Sequence, residues 1–239
     1  MTDESTVRIG LVLPEVLGTY GDSGNATVLR KRLEWRGIDA AVVPVRLGDP
    51  VPSGLDLYLL GGGEDDAQAL AVDYLRKHPG LQRAVASGAV VLGVCAGLQV
   101  LGTKFRAIDG VTQHGLGLLD VITEPGETRA VGELIAIPGA HLGDERLTGF
   151  ENHLGQSLLG SSSTPLGRVA RGTGNGDGTE GAVTGKVVAT YLHGPVLARN
   201  PALADLLLGW LLGHPLPPLE LTEVARLRAE RLARGSSRS

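Results

Sequence analysis

The chain has 239 residues, a formal net charge of −4 and a pI near 5.9, so no basic field favours nucleic acid or an anionic membrane. A single cysteine excludes an internal disulfide and any CxxC metal or redox pair. The polar N-terminus has no apolar stretch of the secretory kind, and no apolar run reaches the roughly 18–20 residues that span a bilayer, so a soluble cytoplasmic protein is expected.

In chain order, 7–13 reads as a buried strand, and 22–36 has helical periodicity with Val28, Leu29, Leu33 and Trp35 available for packing. Strands over 40–45 and 55–60 follow, the second ending in Gly61-Gly62-Gly63. Asp65 and Asp66 then cap a helix over 67–77. A strand over 89–94 leads to Cys95 and to a helix ending near 101. This alternation predicts an α/β fold, an open, mostly parallel sheet with helices on both faces. The second half changes character, with short strands over 118–123, 134–137, 148–153, 168–171 and 187–191 between glycine-rich turns. RGTGNGDGTEG, 171–181, reads as a loop on composition alone. Helical patterns return over 201–212 and 219–234. With no repeat and no linker, residues 1–239 are expected to form one domain, from about 220 a terminal helix and tail.

The chemistry centres on VVLGVCAGLQVLG, 90–102. A tight strand-to-helix turn exposes a nucleophile and aims helix N–H groups at the reacting atoms. Small neighbours are required there, and Gly93 and Gly97 frame Cys95 as G-x-C-x-G. The helix end and a nearby imidazole are expected to lower the thiol pKa. Of six histidines, His78 and His214 precede prolines at helix ends and read as caps, and His114 reads as structural. His193 follows the strand pattern VVATYL and precedes Gly194-Pro195, which puts it on the sheet edge that carries Cys95. Cys95–His193 is the expected dyad, with His153 in GFENHLG as the second choice of base.

GVCAGLQ with YLHGP downstream resembles the class I, triad-type glutamine amidotransferases, and GFENH at 149–153 is similar to a segment of their cobyric-acid-synthase-like branch. GGGEDDAQ at 61–68, TRAVGE at 128–133 and TYLHGPVLARNPALAD at 190–205 resemble the GatD glutaminase subunits of lipid II isoglutaminyl synthase, which pair with a MurT-like, Mur-ligase-like subunit. The resemblance implies that Cys95 attacks the side-chain amide of L-glutamine and His193 protonates the departing ammonia. Backbone N–H groups of Ala96, Gly62 and Gly63 would form the oxyanion hole. Gln99 would contact the substrate and Arg129 its α-carboxylate, while Asn152 and His153 would line or support the pocket. No metal and no cofactor are implied for this chain; ATP and magnesium belong to the partner. There the ammonia would amidate the D-glutamate of lipid II, at the inner face of the membrane.

Two departures accompany the resemblance. Many triad enzymes place a glutamate two residues after the catalytic histidine, where this chain has Pro195. The carboxylate is then expected from the partner, with weak activity of the chain alone, unless another residue substitutes. There is also no GxxxxGK[ST] phosphate loop: GAVTGKV, 181–187, has the wrong glycine spacing and Val187 in place of the hydroxyl. The alternatives are a stand-alone cysteine amidase or peptidase, a subunit for a cobyric-acid-like acceptor, or a binding subunit without catalysis.

Overall fold

A computed structural model describes residues 6–236 apart from 19, 20, 108, 141 and 220. The expected tail at 237–239 lies outside the described residues. The first half holds β1 (Val7–Val12), α1 (Gly24–Glu34), β2 (Ala40–Val45), β3 (Leu57–Leu60), α2 (Asp65–Lys77), α3 (Gly80–Ala86), β4 (Val90–Val94) and α4 (Ala96–Leu101). It is followed by β5 (Lys104–Arg106), β6 (Thr112–His114), β7 (Val121–Pro138), β8 (Leu147–Leu159), β9 (Gly167–Arg171), β10 (Thr179–Glu180), β11 (Ala182–Thr184) and β12 (Val187–Thr190). The helices α5 (Val196–Arg199), α6 (Pro201–Leu212) and α7 (Thr222–Ser236) close the chain.

The central sheet runs β11-β12-β4-β3-β1-β2, parallel throughout except at the β11 edge. Every residue of β3, β4 and β12 is buried, as parallel strands covered on both faces require. Their register brings Val12, Leu60, Gly93–Val94 and Thr190 to one end of the sheet. The loops leaving four neighbouring strands therefore open at the same edge. Arg32 on α1 grips Asp205 on α6 through two hydrogen bonds of 2.8 and 2.5 Å, joined by Arg36 at 3.0 Å.

The second half departs from the sequence expectation. The strands predicted at 118–123 and 134–137 fall at the two ends of one strand, β7, and 148–153 is the first half of β8. Together they form a long antiparallel hairpin with a bulge between Pro125 and Ala130. Glycine and proline in TEPGETR interrupt the alternation of residues without interrupting the strand. The hairpin belongs to a second sheet, β10-β9-β7-β5-β6 with β8 on β7, whose pairings are antiparallel except β5–β7. The short helices α3 and α5 carry too few turns to show a period. Trp35 is a further correction: it is 54% exposed, while Leu29 and Leu33 fill the core. Asp65 and Asp66 occupy the first turn of α2, one and two residues past the cap position, which is held by Glu64.

Candidate active site

Cys95 is one of two described non-glycine residues with positive φ, at φ 53°, ψ −104°. Such a conformation costs about 1–3 kcal/mol and persists only where the surroundings impose it. Here the Cys95 N–H donates to Thr190 O at 2.8 Å and the Gly97 N–H to Gly61 O at 3.1 Å, tying the turn to both neighbouring strands. The glycine frame is steric. A Cβ on Gly97 would lie 2.8 Å from Leu60 O, and one on Gly93 2.9 Å from the Gly97 carbonyl carbon. The sequence expectation of an elbow is met: strand, strained cysteine, helix.

His193, 2% exposed, comes from the loop after β12, and an isolated bridge to Phe150 on β8 fixes its backbone at 2.8 and 3.1 Å. Its Nδ1 lies 3.2 Å from Asp22 Oδ1. The imidazole therefore has a buried carboxylate behind it within this chain, a candidate for the residue that substitutes for the glutamate absent at Pro195. A Cβ on Gly62 would lie 2.9 Å from His193 Cε1, 3.2 Å from Asp22 Oδ2 and 3.6 Å from Cys95 Cβ. One point is thus ringed by all three side chains. Asp22 carries no local mark specific to this role, since GDSGN opens a helical pattern. The available signal was an acidic residue between two glycines beyond the end of β1.

The predicted oxyanion donors divide. The Ala96 N–H faces the Cys95 sulfur. The Gly62 N–H instead donates to Asp22 Oδ2 at 2.8 Å, so it is committed to the carboxylate. Gly63 borders the cleft beside Cys95. The expected activation of the thiol is also corrected: burial, with the Asp22 charge adding to it, pushes the Cys95 pKa up to about 12, against the pull of the Ala96 N–H. Six residues of α4 exert too small a field to offset that burial. The resting sulfur is a thiol that needs a base.

A narrow cleft beside Cys95 is bordered by Glu64, Gln99, Arg129, Asn152 and His153. The β7 bulge turns Arg129 toward it, where Nη1 donates to Asn152 Oδ1 at 2.8 Å and Nη2 lies 3.9 Å from Glu64. Gln99 is 8% exposed; its Nε2 reaches Tyr191 Oη at 3.5 Å and its Oε1 has no hydrogen-bond partner among the described residues. His153 is stacked on Tyr191 with ring centroids 3.7 Å apart. Its Nδ1 faces Gly155 O at 2.9 Å and its Nε2 faces Glu151 at 3.3 Å, which leaves neither nitrogen to serve Cys95 as a base. Glu151 also accepts the Thr173 and Gly174 N–H groups. Burial pulls its carboxyl up, but His153 and these donors outweigh it and hold the pKa below the ordinary value. Asn152 and His153 both border the cleft, Asn152 bonded to Arg129 and His153 held by Gly155, Glu151 and Tyr191.

A larger hollow of about 1050 Å³ lies elsewhere, between α6 and α7 beside Leu206, Trp210 and Leu216, and contains none of these groups. Among the described residues no cluster of three or more His, Cys, Asp or Glu could hold a metal ion, and no helix is long and apolar enough to cross a membrane.

Residues 8–201 match the CobB/CobQ-like glutamine amidotransferase domain. The chain is 34% identical to subunit GatD of lipid II isoglutaminyl synthase (glutamine-hydrolyzing) from Staphylococcus aureus, over 92% of this chain and 91% of that one. It is 36% identical to the cobyric acid synthase of Pelotomaculum thermopropionicum over 70% of this chain, but spans only 34% of that longer protein. A crystal structure of a glutamine amidotransferase shares the fold, with a TM-score of 0.57 and 21% identity over 85% of this chain and 98% of that one. With its elbow cysteine, strand-end histidine and matching span, the chain belongs to the CobB/CobQ-like glutamine amidotransferase family.

Proposed function

We propose that this enzyme is the glutamine-hydrolysing subunit of a lipid II isoglutaminyl synthase. The observation that carries the reading is end-to-end similarity to the S. aureus subunit, combined with a cysteine held at positive φ against His193 and Asp22. The chain spans 91% of the S. aureus subunit but 34% of the cobyric acid synthase of P. thermopropionicum, so the former is the relative matched over its length. His193 takes the Cys95 proton, and the sulfur attacks the glutamine amide carbon. The Ala96 and Gly63 N–H groups stabilise the resulting oxyanion, donors of this kind being worth roughly 2.7–4 kcal/mol each. Collapse breaks the C–N bond, and the imidazolium proton leaves with the nitrogen as ammonia. Water deprotonated by the same imidazole then cleaves the γ-glutamyl thioester, giving glutamate and the free thiol. Asp22 positions the imidazole and stabilises its charged form. Arg129 pairs with the substrate α-carboxylate, Asn152 fixes that guanidinium, and Gln99 Oε1 offers an acceptor to the bound glutamine.

The ammonia passes to a MurT-like ligase subunit, which holds ATP and magnesium and amidates the D-glutamate α-carboxylate of lipid II. The whole chain acts as one domain, in the cytoplasm, at the membrane face where lipid II is presented. Co-purification with a Mur-ligase-like subunit, followed by glutamine- and ATP-dependent amidation of lipid II, tests this. Amidation that is lost in Cys95→Ala with glutamine but retained with ammonium salt is the expected result. Glutamine hydrolysis that never couples to lipid II would overturn the assignment of the acceptor.

A further inference from the structure

The glycine-rich segment 171–181, a loop on composition, is a built turn. Asn175 is 1% exposed; its Nδ2 donates to Gly181 O and Thr179 Oγ1, both at 2.9 Å, and its Oδ1 accepts the Gly181 N–H at 3.1 Å. The Ser157 N–H of β8 donates to Asn175 O at 2.8 Å. This scaffold delivers Glu180, fully buried, to the back of the active-site strand. Glu180 Oε1 accepts the Tyr191 N–H at 2.9 Å and the Thr190 hydroxyl, while Oε2 has no hydrogen-bond partner among the described residues. Thr190 Oγ1 accepts the Leu192 N–H at 3.0 Å, and Thr190 O accepts the Cys95 N–H at 2.8 Å. One carboxyl therefore stands behind both the segment that leads to His193 and the carbonyl that holds Cys95.

A carboxyl buried with one oxygen unmatched is costly, and an apolar side chain of similar volume avoids that cost. What an apolar residue cannot do is accept two donors from consecutive residues of a strand end. We propose that Glu180 is a positioning residue for amide hydrolysis, clamping residues 190–192 so that Cys95 and His193 keep their relative placement. The inference rests on the reading of Cys95 as the nucleophile. Glu180 does not border the cleft, so its removal acts on kcat and not on KM.

The test compares Glu180→Ala, Thr190→Val and Glu180→Gln in the full chain, the last retaining an acceptor oxygen. Expected are a kcat for glutamine at least 10-fold lower in the first two with KM within 2-fold, and recovery to within 3-fold of the parent in Glu180→Gln. A folded Glu180→Ala or Thr190→Val with kcat within 2-fold overturns the proposal, as does a rise in KM at constant kcat. Should Glu180→Ala not fold, Thr190→Val decides. Amide hydrogen exchange of a peptide covering 188–195 reads the clamp without glutamine: at least 10-fold faster exchange in Thr190→Val supports it, and unchanged exchange contradicts it. Absence of glutaminase in the parent chain would instead count against the nucleophile assignment and leave the exchange result standing.

Discussion

Asp22 makes two contacts at once: Oδ1 lies 3.2 Å from His193 Nδ1, and Oδ2 accepts the Gly62 N–H at 2.8 Å. The second bond stops the carboxylate from rotating away from the first. A carboxylate at Nδ1 places the imidazole proton there and leaves Nε2 as the basic nitrogen, a tautomer assigned from the network. Asp22→Asn presents an amide that also donates, favouring the opposite tautomer at almost unchanged shape. Steady-state glutaminase assays are expected to show kcat lower by ~10²–10⁴-fold with KM little changed. A kcat within 3-fold of the parent would remove Asp22 from the mechanism.

Gly62 tests the same ring of side chains sterically. A methyl group there would stand 2.9 Å from His193 Cε1 and 3.2 Å from Asp22 Oδ2, both closely held. Gly62→Ala is expected to fold, since the core is untouched, and to lose about 100-fold or more in kcat through displacement of the imidazole. Circular dichroism and turnover measured on the same preparation separate the two effects.

The thiol gives a prediction in pH. Burial and the Asp22 charge raise the Cys95 pKa to about 12, so the free enzyme carries little thiolate near neutrality. Iodoacetamide alkylation at pH 7.5 should be at least ~100-fold slower than in the urea-unfolded chain, and should still be rising at pH 10. A plateau reached below pH 7 would show a thiolate–imidazolium resting pair instead.

Glu180 gives a prediction in stability. Burial raises its carboxyl from the ordinary 4.5 to about 7, against the pull of Thr190 and Tyr191, with the His153 charge lowering it and the Glu151 charge raising it. A raised folded-state pKa contributes stability that is complete below about pH 4.5 and is lost as pH rises through 7. Unfolding free energy is expected to fall by on the order of 2 kcal/mol between pH 5 and pH 8 from this group. Glu180→Gln should flatten that slope in urea denaturation at the two pH values, and an unchanged slope would place the titration elsewhere.

The role proposed for Arg129 is to hold the substrate's α-carboxylate. Lysine keeps the charge but not the fork that grips both Asn152 Oδ1 and a carboxylate. Arg129→Lys is expected to raise KM for glutamine about 10-fold while kcat changes less than 3-fold. A fall in kcat at constant KM would move Arg129 from binding to chemistry.

Which parts of the site were legible in the sequence follows from how local each signal is. Cys95 announces itself through Gly93 and Gly97, because the elbow needs small residues two positions away on either side. His193 sits just past an apolar run that can only be a buried strand. β3, β4 and β12 were readable for the same reason, being continuous apolar runs, whereas β11, three residues long, is too short to show a pattern. Asp22 was hidden because its partner is 171 residues away and nothing local marks it. The β7–β8 hairpin was fragmented because its bulge contains the proline and glycine that usually end a strand, yet that bulge is what aims Arg129. Glu180 was invisible inside a glycine-rich stretch, since its burial depends on Asn175 folding the turn under it.

The most direct test is glutamine hydrolysis by the chain on its own, since Cys95, His193 and Asp22 all lie within it. Glutamate release should be measurable without any partner, abolished in Cys95→Ala and reduced ~10²–10⁴-fold in Asp22→Asn. Hydrolysis that appears only when a ligase subunit is added, and that is indifferent to Asp22→Asn, would contradict a catalytic triad complete within this chain.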